Sequence, residues 1–274
     1  MVKKTIAVLC ATIIGVQLTT AGVKASAAEI NNAGIENVKN SLDNVLYSGQ
    51  KSDYKYDICL NEKTGEKVAV ITGYTGTDGV FNVPGEIDGY KVVQIGHGDR
   101  IEGHNNVRNL ILNGNWEDKS IDDYAFANSK NLESIVYQGT LFVGVSSFEG
   151  CMSLKTIEKV NSQSGIATVK TNGFRHCENL SGTVDLSGSC CSSAGIMVLK
   201  SINIFPDAFN GCKNVDKFIF PEDSLGYKQG PSVIGAYAFA GTKAEVKLSL
   251  YKENSKFHIL NHAFDNSNIT VEYK

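Results

Sequence analysis

Two neighbouring cysteines, Cys190 and Cys191 in the stretch SCCSSAG, are the most reactive-looking residues of this 274-residue chain. Vicinal thiols can close a strained disulfide, bind a soft metal or work as a redox pair. There is no C-x-x-C and no second cysteine pair at zinc-ligand spacing, so two loop thiols without a chemical task are the preferred reading. His97 and His104 enclose Asp99 and Glu102, a composition that could ligate a metal, and His176 stands beside Cys177 as a base beside a thiol nucleophile. No third residue orients either set, and isolated histidines are far more often structural or solvated than ligands or bases. The motifs G-x-S-x-G, H-E-x-x-H, G-x-G-x-x-G and G-x-x-x-x-G-K-[ST] do not occur. The expectation is a non-enzyme with no catalytic residue, no metal and no cofactor. A hydrolase site assembled in space, or thiol chemistry at Cys190 and Cys191, is the less favoured alternative.

The other cysteines belong to a pattern. With Phe126, Phe148, Phe174, Phe209, Phe239 and Phe264 as anchors, the residue five before each is Ile121, Val143, Val169, Ile204, Ile234 or Ile259. The residue just before each Phe is Ala125, Ser147, Gly173, Ala208, Ala238 or Ala263, which implies a close backbone contact. Three residues after each come Ser129, Cys151, Cys177, Cys212, Thr242 and Ser267. A slot shared by Cys, Ser and Thr calls for a small, weakly polar buried side chain, so Cys151, Cys177 and Cys212 read as free buried thiols, although a Cys151 to Cys177 bridge is sterically conceivable. An earlier, degenerate copy puts Ile101 in the Phe slot and His104 in the Cys slot, with Val107, Leu110 and Leu112 after it.

Seven copies spaced 22 to 35 residues apart signify a solenoid, because one such unit cannot bury its apolar side without a stacked neighbour. Leu132, Ile135 and Tyr137, or Leu154 and Ile157, follow the pattern L-x-x-I-x-L, in which a short strand lines one face of each coil. The length differences fall between one copy's strand and the next copy's β-branched residue, so insertions such as SGSCCSSAGIMVLKSIN leave the stack intact. The expected fold is a leucine-rich-repeat solenoid, an α+β, strand-rich curved stack with irregular or short helical returns.

Ahead of it, Ile35, Val38, Leu42 and Val45 fall on one helix face, and YKYDICL and KVAVITG flank the turn NEKTGE as a β-hairpin. Residues 29–90 are therefore read as an N-terminal cap of helix plus hairpin, and 91–274 as the solenoid. Residues 1–28 read as a signal peptide: Lys3 and Lys4, the apolar run TIAVLCATIIGVQL, then ASAA. That run is short for a bilayer span, and its removal takes the net charge from −3 to −6, so membrane insertion and nucleic-acid binding are not expected.

ITGYTGTDG, VPGEIDGYKVVQIG and the recurring AFxxC or AFxxT frame resemble the BspA-like branch of leucine-rich-repeat proteins, over roughly residues 66 to 274. The resemblance implies a protein secreted or displayed by a microbe, often bacterial, that adheres to host matrix, to host cell-surface proteins or glycans, or to another microbial surface. No sorting signal or membrane anchor follows NITVEYK, so the chain is expected to be secreted or loosely held at the cell surface. Its last strand is expected to be an edge through which copies can associate.

If the apolar residues of each I-x-L strand point inward, the alternating ones form a ladder on the concave face: Ser134, Val136, Thr156, Glu158, Thr183, Asp185, Lys217, Ile219, Lys247 and Ser249. Such sheets are the usual binding surface of solenoids, which makes recognition of a protein or glycan on this ladder the expected function. Tyr227, Tyr251 and Trp116 are secondary contact candidates.

Overall fold

The computed structural model describes residues 42–112, 118–161, 164–188, 202–220, 232–250 and 257–273. The signal peptide, Ile35, Val38, Trp116, Cys190, Cys191, Tyr227 and Tyr251 lie outside the described residues. The first elements are three antiparallel strands, β1 (Val45–Lys51), β2 (Tyr54–Leu60) and β3 (Lys67–Tyr74). The β2–β3 turn is closed by Asn61, whose Oδ1 accepts the N–H groups of Lys63 and Thr64 while Gly65 takes the left-handed conformation.

Of the expected N-terminal helix only Leu42 and Val45 fall among the described residues, and neither is helical. Leu42 is buried in a turn, and Val45 opens a strand with its side chain 40% exposed. At Val45 apolar spacing is a weak signal against an available sheet edge, and VLYSGQK pairs its backbone with β2.

From β3 onward every coil contributes two strands, where one was expected. One set forms a long parallel sheet continuing from β3 through Tyr90–Ile95, Asp118–Ile121, Thr140–Val143, Gly165–Val169, Asn203–Ile204, Ser232–Ile234 and Phe257–Ile259. The hairpin and the repeats thus share one sheet. The second set, the I-x-L strands, makes a four-stranded sheet of Val80–Asn82, Asn109–Leu112, Ser134–Tyr137 and Thr156–Lys159. Two separate pairs follow, Ser181–Asp185 with Asn214–Ile219 and Val246–Leu250 with Ile269–Tyr273.

Between the two strands of a coil, the chain turns at the Phe anchor. The residue two before the anchor has positive φ in all six copies (Tyr124, Ser146, Asn172, Asp207, Tyr237, His262), and so has the residue two after it (Asn128, Gly150, His176, Gly211, Gly241, Asn266). Left-handed residues four apart cannot be part of an α-helix, which explains why the described turns at the anchors contain no α-helix. Among the described residues the one helical turn is the 3₁₀ segment His104–Asn106. It follows Gly103, where φ is 76° and a Cβ would lie 1.8 Å from the Tyr74 carbonyl oxygen.

The core is the space between the two strand sets, and the anchors fill it. Phe126, Phe148, Phe174, Phe209 and Phe239 are fully buried. Successive rings stack at 5.5, 5.1, 5.3 and 5.5 Å, within 13° of parallel. Each ring is covered by the next coil's ring, which is why one copy alone has no core. Phe81, stacked on Tyr74 at 4.8 Å, begins the column, and Phe264 continues it 5.8 Å beyond Phe239.

Candidate functional site

The thiols close the column from within. Cys151, Cys177 and Cys212 are free and buried, and each S–H donates to the anchor carbonyl one coil back, Phe126, Phe148 and Phe174, at 3.1 Å in every case. Burial pushes the Cys151 and Cys212 thiols up to about 12 and Cys177 well above the ordinary range. Such thiols are poor nucleophiles. Thr242 and Ser267 donate instead to their own anchor carbonyls, Phe239 and Phe264. Ser129, wholly buried, has no partner for its hydroxyl. The coil before it supplies the reason, since the Ile101 carbonyl is already engaged by His104 Nδ1 at 3.1 Å.

The histidine sets also come apart. His97 lies between Asp57, 3.4 Å from Nδ1, and Asp43, 3.8 Å from Nε2, so the carboxylates sit at opposite ring nitrogens rather than around a common point. Glu102 pairs with Lys55, and Asp99 accepts the Arg100 N–H. His176 is exposed on its left-handed backbone while Cys177 points into the core.

The ladder residues fall on the I-x-L strands, and two registers bring them together. Ser134 faces Thr156 and Val136 faces Glu158, with Ile111 extending the second row. Thr183 faces Lys217 and Asp185 faces Ile219. Val136 and Ile219 are half-buried, Glu158, Thr183 and Lys217 exposed. For Lys247 and Ser249 the backbone register is described, opposite Thr270 and Glu272.

Asp185 departs from the expected surface position. Only 6% exposed, it holds Lys159 Nζ at 2.5 Å and accepts both the N–H and the hydroxyl of Ser187. The cause lies in the inserted residue of ENLSGTVDL. Gly182 takes φ 74° beside a bulge, ladder pairing stops between Thr156–Lys159 and Ser181–Asp185, and the Lys159–Asp185 ion pair spans the gap.

Two columns escaped the sequence reading. Asn131, Ser153, Asn179 and Asn214 each donate a side-chain hydrogen bond to a carbonyl one coil back, on Asn105, Lys130, Met152 and Glu178. The recurring NL, SL, NL and NV pairs carried that signal. The other is the ridge of left-handed residues. Asn and Asp tolerate this backbone, whereas tyrosine there costs roughly 1–2 kcal/mol. Yet Tyr124 and Tyr237 occupy it with 45% and 41% of their surface exposed, and Tyr237 stacks on His262 at 5.2 Å.

Stacked two-strand coils around a phenylalanine column, with hydroxyl, thiol and amide ladders, define a β-solenoid of leucine-rich-repeat class. The BspA type leucine rich repeat region matches in six copies over residues 104–270, and the chain belongs to that family. No curated protein matches. The chain is also similar to a solved structure, the leucine rich repeat protein of T. pallidum, with 19% identity, 71% of this chain and 89% of that chain covered, and a TM-score of 0.39. Among the described residues no helix is long and apolar enough to cross a membrane.

Proposed function

We propose that this chain is an exported, non-catalytic recognition protein that holds a partner protein on the outer face of the I-x-L strands. The supporting observation is the row Ile111, Val136 and Glu158 beside Ser134 and Thr156: apolar, polar and charged side chains aligned on adjacent strands, Glu158 exposed and the others half-exposed. An aligned, mixed and partly exposed face on a solenoid is suited to a protein surface. Export rests on the leader-like residues 1–28, and N-terminal sequencing of material recovered from the medium tests it, with a start near Glu29 expected.

The binding test uses purified chain against immobilised extracellular-matrix proteins and whole cells, beside a Glu158→Lys/Lys217→Glu variant. Both residues are exposed, so the variant is expected to melt with the parent and to lose binding. Equal binding by the two proteins would reject the ladder. A second reading, edge-to-edge association of copies, draws on the strand Ile269–Tyr273, paired on one side only among the described residues. Light scattering showing one monomer mass from micromolar to millimolar concentration would remove it.

A further inference from the structure

The ridge of left-handed residues two before each anchor is a surface of its own, on the turns rather than on either sheet. In coil order it carries Tyr124, Ser146, Asn172, Asp207, Tyr237 and His262. The two tyrosines are exposed at either end of a run of three smaller polar residues. Four coil steps separate them, roughly 20 Å at about 5 Å per step. Of the residues between them Ser146 is buried, while Asn172 and Asp207 are half-exposed and retain free hydrogen-bonding groups. The Asn172 side chain makes no hydrogen bond among the described residues, and Asp207 uses Oδ1 alone, on Asn210 Nδ2 at 2.6 Å. No lysine or arginine stands in the column.

We propose that this ridge binds a neutral oligosaccharide lying along the solenoid axis, with Tyr124 and Tyr237 giving the sugar rings apolar surfaces and Asn172 and Asp207 hydrogen-bonding its hydroxyls. The backbone supplies the reason for singling out the tyrosines. Asn and Asp serve the same slot in other coils without strain, so Tyr124 and Tyr237 are unfavourable for the fold twice over, in their backbone and in the apolar surface they leave in water. Such an outlier points to use. A partner rich in hydroxyls and free of charge fits a column of aromatic, amide and single-carboxylate groups better than an acidic or basic polymer does.

The test is calorimetric titration of the full chain with hexasaccharides of β-linked glucose, β-linked N-acetylglucosamine and α-linked glucose. Binding of at least one is expected, weakened about tenfold or more in Tyr124→Asn/Tyr237→Asn, as for loss of a hot-spot residue. Asn suits the left-handed backbone, which offsets the lost Tyr237–His262 stack, so this variant should melt within about 2 °C of the parent, which separates lost binding from lost fold. Asn172→Ala should weaken the same titration, and Glu158→Lys/Lys217→Glu should leave it unchanged, which distinguishes the ridge from the strand ladder. No heat with any of the three sugars, or equal affinity in the tyrosine variant, overturns the proposal. If the tyrosine variant loses a protein partner and the parent binds no sugar, the ridge is a protein contact instead.

Discussion

At the residue scale, the slot three after each anchor is a natural series in which only the side chain changes. Cys151, Cys177 and Cys212 each have an acceptor one coil back, and Ser129 has none. A buried hydroxyl without a partner destabilises by about 1–3 kcal/mol. Ser129→Ala removes it at almost no change in volume, so the melting temperature should rise by about 2–4 °C or more, read by calorimetry. The thiols make a second prediction. They ionise near 9 when unperturbed, and Cys151 and Cys212 only near 12 when folded, so between those values the unfolded chain binds fewer protons than the native one. Their contribution to stability is complete below about pH 9 and is lost as the pH rises toward 12. Denaturant midpoints measured from pH 8 to pH 11 should fall, and fall less in a Cys151→Ser/Cys177→Ser/Cys212→Ser variant. Sequence alone made the slot visible through its Cys, Ser and Thr content. It did not reveal that Ser129 lacks an acceptor, because that depends on His104 bonding its own Ile101 carbonyl.

At the element scale, the I-x-L strand was legible because two alternating apolar residues mark it. The second strand of each coil was not, since four-residue segments such as TLFV carry one recurring anchor and follow loops of unequal length. The expected N-terminal helix does not extend to Val45 for a related reason. Periodicity records which residues can share a face, while β2 offered a real edge to pair with. Asp185 was assigned to the open surface by alternation, and its pairing with Lys159 across the sheet break and with Ser187 covers it. Asp185→Asn should therefore lower stability, by about 1–3 kcal/mol in urea titration, through loss of the Lys159 pair across the sheet break, without changing partner binding. A fall in binding at unchanged stability would return Asp185 to the ladder. The phenylalanine column makes the larger claim. Phe174 stacks between Phe148 and Phe209, and Phe174→Ala should cost about 3–5 kcal/mol, whereas Met152→Ala on the exposed turn should be near neutral.

At the scale of the whole molecule, the junctions from the Ile101 coil to the Phe209 coil are made in two directions. The anchor N–H of one coil donates forward, as Phe148 does to the Gly173 carbonyl, and the thiol or amide of the following coil donates back. Stability should then be close to a sum over like junctions. The ridge and the ladder differ in how far sequence could disclose them. Ladder residues follow from counting by two along a strand. The ridge required the φ angles, although aligning the slot two before each anchor would have set Tyr124 and Tyr237 against Ser146, Asn172 and Asp207.

The junctions across Phe126, Phe148, Phe174 and Phe209 repeat the same ring spacing and the same thiol-to-carbonyl bond. A coil is thus an interchangeable part. Excising residues 149–174 would set Arg175, His176 and Cys177 after Phe148 in place of Glu149, Gly150 and Cys151, and would seat Phe148 against Phe209. The shortened chain should fold, with a far-ultraviolet spectrum and a melting transition of the parent's kind. Collapse of that deletion would mean that the coils are individually fitted. If they are not, a slip in copying the gene that gains or loses one coil's worth of codons yields at once a longer or shorter protein that still works, and lineages can adjust the reach of this molecule in whole steps without first passing through a broken one.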